Sequence, residues 1–145
     1  MGNTLYEQDF YAWTLQQAEL LRLRQLDCAD LDNIAEEIES MGRSVKRELI
    51  SRLAVLLLHL LKWQHQPAFR SRSWQLTIKG QRRSLDRHLR DNPSLKSQLD
   101  QAMSDAYGDA TIEAERETGL AAETFPESCP FSFDQTISDD FWPAD

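Results

Sequence analysis

The chain has 145 residues, with hydrophobic residues at 41% and charged residues at 28%. That composition suits one soluble globular domain, and a chain of this length buries roughly 68–70% of its unfolded surface without metals or disulfides. Lys plus Arg is 16 against 24 Asp plus Glu, a net charge of −8, which makes nucleic acid a poor default partner because phosphate contacts dominate that affinity.

The charge is segregated. Residues 1–41 hold 2 basic and 9 acidic groups, residues 42–96 hold 13 and 3, and residues 97–145 hold 1 and 12. A basic middle therefore lies between two acidic flanks. Cys28 and Cys129 are too far apart in sequence for a CxxC metal motif or a disulfide framework, which suits a reducing compartment. Glu7 and Asp9 stand where a signal peptide would be apolar, and the longest apolar run, Leu53 to Leu61, is far short of the ~20 residues of a membrane span. A soluble, cytoplasmic protein without membrane association is expected.

With five glycines, five prolines and almost no Val/Ile/Thr alternation, the expected fold class is all-α. The expected architecture is a four-helix-type bundle, a single domain over 1–145 with the helices in 1–119 and a tail over 120–145 lying along them. A first helix is expected from the capping box Thr4-x-x-Glu7 to about Leu26, burying Phe10, Trp13, Leu20, Leu21 and Tyr6. A second, capped by Asp30 or Asp32, is expected over 31–65. Ile34, Ile38, Met41, Val45, Leu49, Leu56, Leu60 and Trp63 keep helical phase across Gly42, so one long central helix is favoured over a break there. Pro67 stops it.

A third helix is expected from Ser71 or Ser73 to about Arg90. A fourth opens at Asn92-Pro93 and closes at Gly119 in the left-handed conformation, with Leu99, Ala102, Met103, Ala106 and Ala110 inward. The tail reads as irregular with a short turn near 133–137. Its aromatics suit a segment packed on the helices.

Three stretches together carry a resemblance: Asp9-Phe10-Tyr11-Ala12-Trp13, Asn33-Ile34-Ala35-Glu36-Glu37-Ile38-Glu39-Ser40-Met41-Gly42 and His59-Leu60-Leu61-Lys62-Trp63-Gln64. With Ser73-Trp74-x-x-x-Ile78, Asn92-Pro93-Ser94-Leu95 and Phe125-Pro126-x-x-Cys129-Pro130, the sequence resembles the bacterial domain-of-unknown-function family twenty-nine over nearly its whole length. The resemblance implies a small all-α protein. The family has no established activity, so it carries over no functional residue.

Two constellations stand out. On the long helix, Glu48, Arg52 and His59 fall near the centre of the apolar face, with Glu37 at its edge. An acid/base cluster in an interhelical cleft is one reading, and an ion pair with a hydrogen-bonded histidine fixing helix register is the more economical one. On the third helix, Trp74, Ile78, Gln81, Leu85, His88 and Leu89 share one face. Arg72, Lys79, Arg83 and Arg90 share the opposite one, with Arg87 close by and Lys62, Arg70 and Arg82 adding charge. Such a stripe could hold a phosphate backbone or another anion, or pair with the acidic fourth helix, the tail or a second subunit. His59 and His65 lack helical zinc spacing, no Glu-x-x-His occurs, and no nucleophile or phosphate-loop motif is present. Cys129, between Ser128 and Pro130, reads as a packed thiol. No metal, cofactor or catalytic residue is therefore assigned. A helical interaction module with a protein partner or a second copy is the leading expectation, with nucleic-acid or other anion binding as the alternative and an enzyme built on Glu48, Arg52 and His59 as the third.

Overall fold

A computed structural model describes residues 4–144. The protein is all-α: six α-helices and three 3₁₀ turns, with no strand among the described residues. Two compact units, residues 1–45 and 46–145, divide it, and the longest helix runs from the first into the second.

In the first unit, α1 (Leu5–Gln8) and α2 (Phe10–Arg22) stand where one helix to Leu26 was expected. Thr4 caps α1 by accepting from the Glu7 amide. Asp9 then leaves helical geometry and caps α2, its Oδ1 accepting from the Ala12 amide at 3.0 Å. A carboxylate one turn along can satisfy a fresh set of amides, so the helix restarts. It ends early because Arg24 takes a left-handed conformation, φ 61°. The Gln25 amide then reaches Leu20 O and the Arg24 amide reaches Leu21 O, the paired bonds that close a helix end, here without the usual glycine.

Trp13 is the buried aromatic of this unit, and its Nε1 donates to Asp30 Oδ2 at 3.1 Å. Tyr6 meets its ring edge-on, and its hydroxyl donates to Glu37 at 2.5 Å. Phe10 stacks on Trp13 yet stays about half exposed, and Leu20 and Leu21 are half-buried, so the expected stripe is only partly covered.

The long helix α3 (Leu31–His65) is continuous through Gly42, as its phase predicts. Its apolar stripe is buried only from Leu49 onward, while Ile38 and Met41 remain 58% and 62% exposed. Periodicity finds the stripe but not how far a neighbour covers it.

In the second unit, Leu49, Leu53, Leu56, Leu57, Leu60 and Leu61 of α3 form the core with Ile78 and Leu85 of α4 (Arg72–Asp91) and Ala102, Ala106, Ala110 and Ala114 of α5 (Leu99–Thr118). Ser71 caps α4. The fourth expected helix starts as a 3₁₀ turn over Pro93–Gln98 before α5, and the Asn92 side chain turns back to His88 O instead of capping it. Gly119 ends α5 with φ 72°, as read from the sequence. The tail packs on the same unit through buried Phe125 and Phe131, through Trp142 against Trp63 (4.6 Å between ring centroids), and through α6 (Phe133–Ile137) beside α4 and α5.

Candidate functional site

The Ser71 hydroxyl accepts from the Trp74 amide and starts α4 in a phase that turns Ile78, Leu85 and Leu89 to the core. Arg72, Lys79, Arg83, Arg87 and Arg90 are consequently exposed on the outside. From Arg72 to Arg90 the helix rises about 27 Å at 1.5 Å per residue. Arg90 pairs with Asp86 at 3.2 Å, both largely in solvent, where such a pair is weak. Arg72, Lys79, Arg83 and Arg87 make no ion pair among the described residues.

Between this face and the tail lies a groove of about 690 Å³. Leu76, Lys79, Arg83 and Asp86 line it from α4, and Ile137 and Asp139 from the tail. Leu76 is an apolar side chain, 51% exposed, among cations.

Arg82, counted from sequence with the surface charge, is buried at 2% exposure. Its Nε donates to Thr136 O at 2.9 Å and a terminal nitrogen donates to Phe141 O at 2.7 Å, with the Trp142 ring beneath it at 5.4 Å. Burial lowers its pKa and the Asp139 carboxylate raises it. Arg82 clamps the tail that forms one wall of the groove.

Glu37, Glu48, Arg52 and His59 do not form one cluster. Glu37 belongs to the first unit, bonded to Tyr6. Glu48 and Arg52 pair at 3.2 Å at the partly exposed margin between α3 and α4; Glu48 also meets His88 Nδ1 at 3.1 Å, and an Arg52 terminal nitrogen donates to Gln81 Oε1 at 3.4 Å. His59 lies three turns beyond Glu48, about 16 Å along the axis. Its Nδ1 is 2.8 Å from Val55 O, and since a carbonyl only accepts, that nitrogen carries the proton. Burial lowers its pKa and keeps the ring neutral. The contacts of Glu48 with His88 and of Arg52 with Gln81 join α3 to α4, and that of Glu37 with Tyr6 joins α3 to α1, whereas His59 is held within α3 itself.

Lys62, also counted with the basic charge, is buried, pairs with Glu117 of α5 at 3.4 Å and covers the Trp74 ring at 4.7 Å. A second groove, about 740 Å³, runs between α5 and residues 122–133. Tyr107 donates to Pro126 O there, and Cys129 donates to Phe131 O at 3.3 Å. Burial pushes the Cys129 thiol up, away from the reactive thiolate. No group of three or more His, Cys, Asp or Glu able to hold a metal occurs among the described residues, and no helix there is long and apolar enough to cross a membrane.

The family model of DUF29, a domain of unknown function, matches residues 5–142. The chain belongs to this family. Comparison with curated proteins and with solved structures found no match. Membership in DUF29 accounts for the shared motifs and assigns no chemistry to Arg82, Leu76 or the basic face. Composition marks that face, but no signal in the sequence tells which arginine the tail takes up.

Proposed function

We propose that this DUF29 protein is a helical interaction module whose outer α4 face docks an acidic protein segment. The supporting observation is the mixed character of the groove: exposed Leu76 lines it together with Lys79 and Arg83 of the same helix, and Asp86 and Asp139 complete the lining. An apolar side chain in a groove shared with exposed cations suits a peptide that presents one apolar anchor among acidic residues. Asp86 and Asp139 repel any polyanion alike, so the feature that favours a peptide over nucleic acid is the apolar contact offered by Leu76, which a phosphate backbone does not use. The same logic makes a partner protein, outside the cell or within it, the natural ligand class; a cytoplasmic setting fits the two free cysteines.

The test is fluorescence anisotropy with a labelled Asp/Glu-rich peptide carrying one leucine, beside a double-stranded DNA of similar charge, at low salt. The peptide should bind, and Lys79→Glu with Arg83→Glu should weaken it by about tenfold or more. Leu76→Ser should weaken the peptide without a matching effect of salt. Tighter binding of the DNA, or no binding of either probe, refutes the proposal.

A further inference from the structure

In the first unit, α2 is tied to Asp30, just before α3, through Trp13, and α1 is tied to Glu37 of α3 through Tyr6. At 100° per residue the next strip of α3 carries Leu31, Ile34, Ile38, Met41 and Val45 at alternating spacings of three and four, two heptads of a coiled-coil seam about 21 Å long. Three of its five side chains are uncovered: Leu31, Ile38 and Met41 are 49%, 58% and 62% exposed, while Ile34 and Val45 are half-buried. Ala35 and Gly42 flank it, and a Cβ added at Gly42 would meet nothing within 4 Å, so another backbone has room to approach.

The helix is also polarised. Asp32, Glu36, Glu37 and Glu39 stand in its first turns, and Arg43, Lys46 and Arg47 follow. Arg43 is drawn to Glu36 and Glu39 of its own helix, at 2.9 and 3.8 Å. We infer that this strip is an interface between two copies of the chain, with the two α3 helices antiparallel and Ile38 of one opposite Met41 of the other. In that register Ile34 meets Val45, and Lys46 comes beside Asp32 at each edge. A parallel pair would instead bring like charges together along the whole seam, which is unfavourable. The pattern thus selects both the occupant and its direction: a second copy is the partner whose charge runs opposite when turned end for end. An interface this short is at the small end of the specific range, roughly below 1,200 Å², so the dimer should dissociate measurably on dilution.

Sedimentation equilibrium over a concentration series should show monomer and dimer for the natural chain, and monomer alone for Ile38→Glu and for Met41→Glu, with helicity by circular dichroism unchanged. Lys79→Glu with Arg83→Glu should leave the dimer intact, which separates this interface from the α4 face. In a Cys28→Ser, Cys129→Ser background, Ile34→Cys mixed with Val45→Cys should form a disulfide-linked dimer, whereas each alone should not, since its copies would stand about 16 Å apart. A natural chain that is monomeric at every concentration overturns the inference. So does a dimer that survives both glutamate variants, or crosslinking of Ile34→Cys with itself but not with Val45→Cys. If a glutamate variant loses helicity, the mixed crosslink decides.

Discussion

Arg82→Ala isolates the clamp between α4 and the tail. It removes two charge-assisted hydrogen bonds, to Thr136 O at 2.9 Å and Phe141 O at 2.7 Å, and a cation–π contact with Trp142. Hydrogen bonds to a charged group contribute roughly 1.5–3 kcal/mol each, and a cation–π contact about 0.5–1 kcal/mol. Against this stands the desolvation of the guanidinium, visible in its lowered pKa, whose loss refunds part of the total. A net destabilisation of about 3 kcal/mol is therefore expected, in the range found when one partner of a buried charged network is removed. Arg82→Lys should recover part of it, since an ammonium keeps the charge but not the fork that spans two carbonyls. Urea unfolding followed by tryptophan fluorescence measures the change, and limited proteolysis with residue mapping should show cleavage beginning within 120–144. A variant within about 0.5 kcal/mol of the natural chain, with its tail equally protected, would refute the clamp.

Four further outcomes follow from the packing and the titrating groups. Ala106→Leu, at a wholly buried position on the small-residue face of α5, should cost about 1–3 kcal/mol by overpacking, measured by the same urea titration. Gly119→Ala should cost about 1 kcal/mol for the left-handed conformation alone, since a Cβ there meets nothing within 4 Å; loss of more than that in thermal or urea unfolding would contradict the open surroundings. In alkali, Tyr6 is held protonated by its bond to Glu37, its pKa pushed up to about 12. The unfolded phenol ionises near 10, so this stabilisation is whole below pH 10 and is lost as the pH rises toward 12; ultraviolet tyrosinate titration of the natural chain against Tyr6→Phe reads it. In acid, burial lowers the pKa of both His59 and His65, and the Nε2 of His65 is buried without a hydrogen-bond partner. The neutral rings stabilise the fold above the unfolded pKa of about 6.5, and that stability should fall as the pH drops below it, less steeply in His65→Phe.

The helices were legible wherever a local rule decides them. Ser71, Gly119 and the unbroken phase across Gly42 depend on residues within one or two turns, and all three stand as read. The two failures in the first unit are also local, but they rest on weaker signals: Asp9 competes with the capping box at Thr4, and Arg24 takes a conformation that composition assigns to glycine. What the sequence conceals is long-range. By phase, Arg82 lies only slightly beyond Leu89 at the edge of the apolar face, and nothing in α4 itself says that the tail supplies two carbonyl oxygens there. The exposure of Ile38 and Met41 is hidden for the same reason, because amphipathic spacing marks a face without saying how far its neighbour extends. Likewise, Glu48 and His88 are forty residues apart, and only the approach of two helices joins them.

Because Arg82 holds main-chain oxygens, its hold on residues 136 and 141 is blind to which side chains those positions carry. It is sensitive instead to the number of peptide units between them. Substitutions along that stretch can leave the clasp closed, whereas inserting or deleting one residue would move an acceptor out of reach, so the spacing of this segment is expected to be more constrained than its spelling.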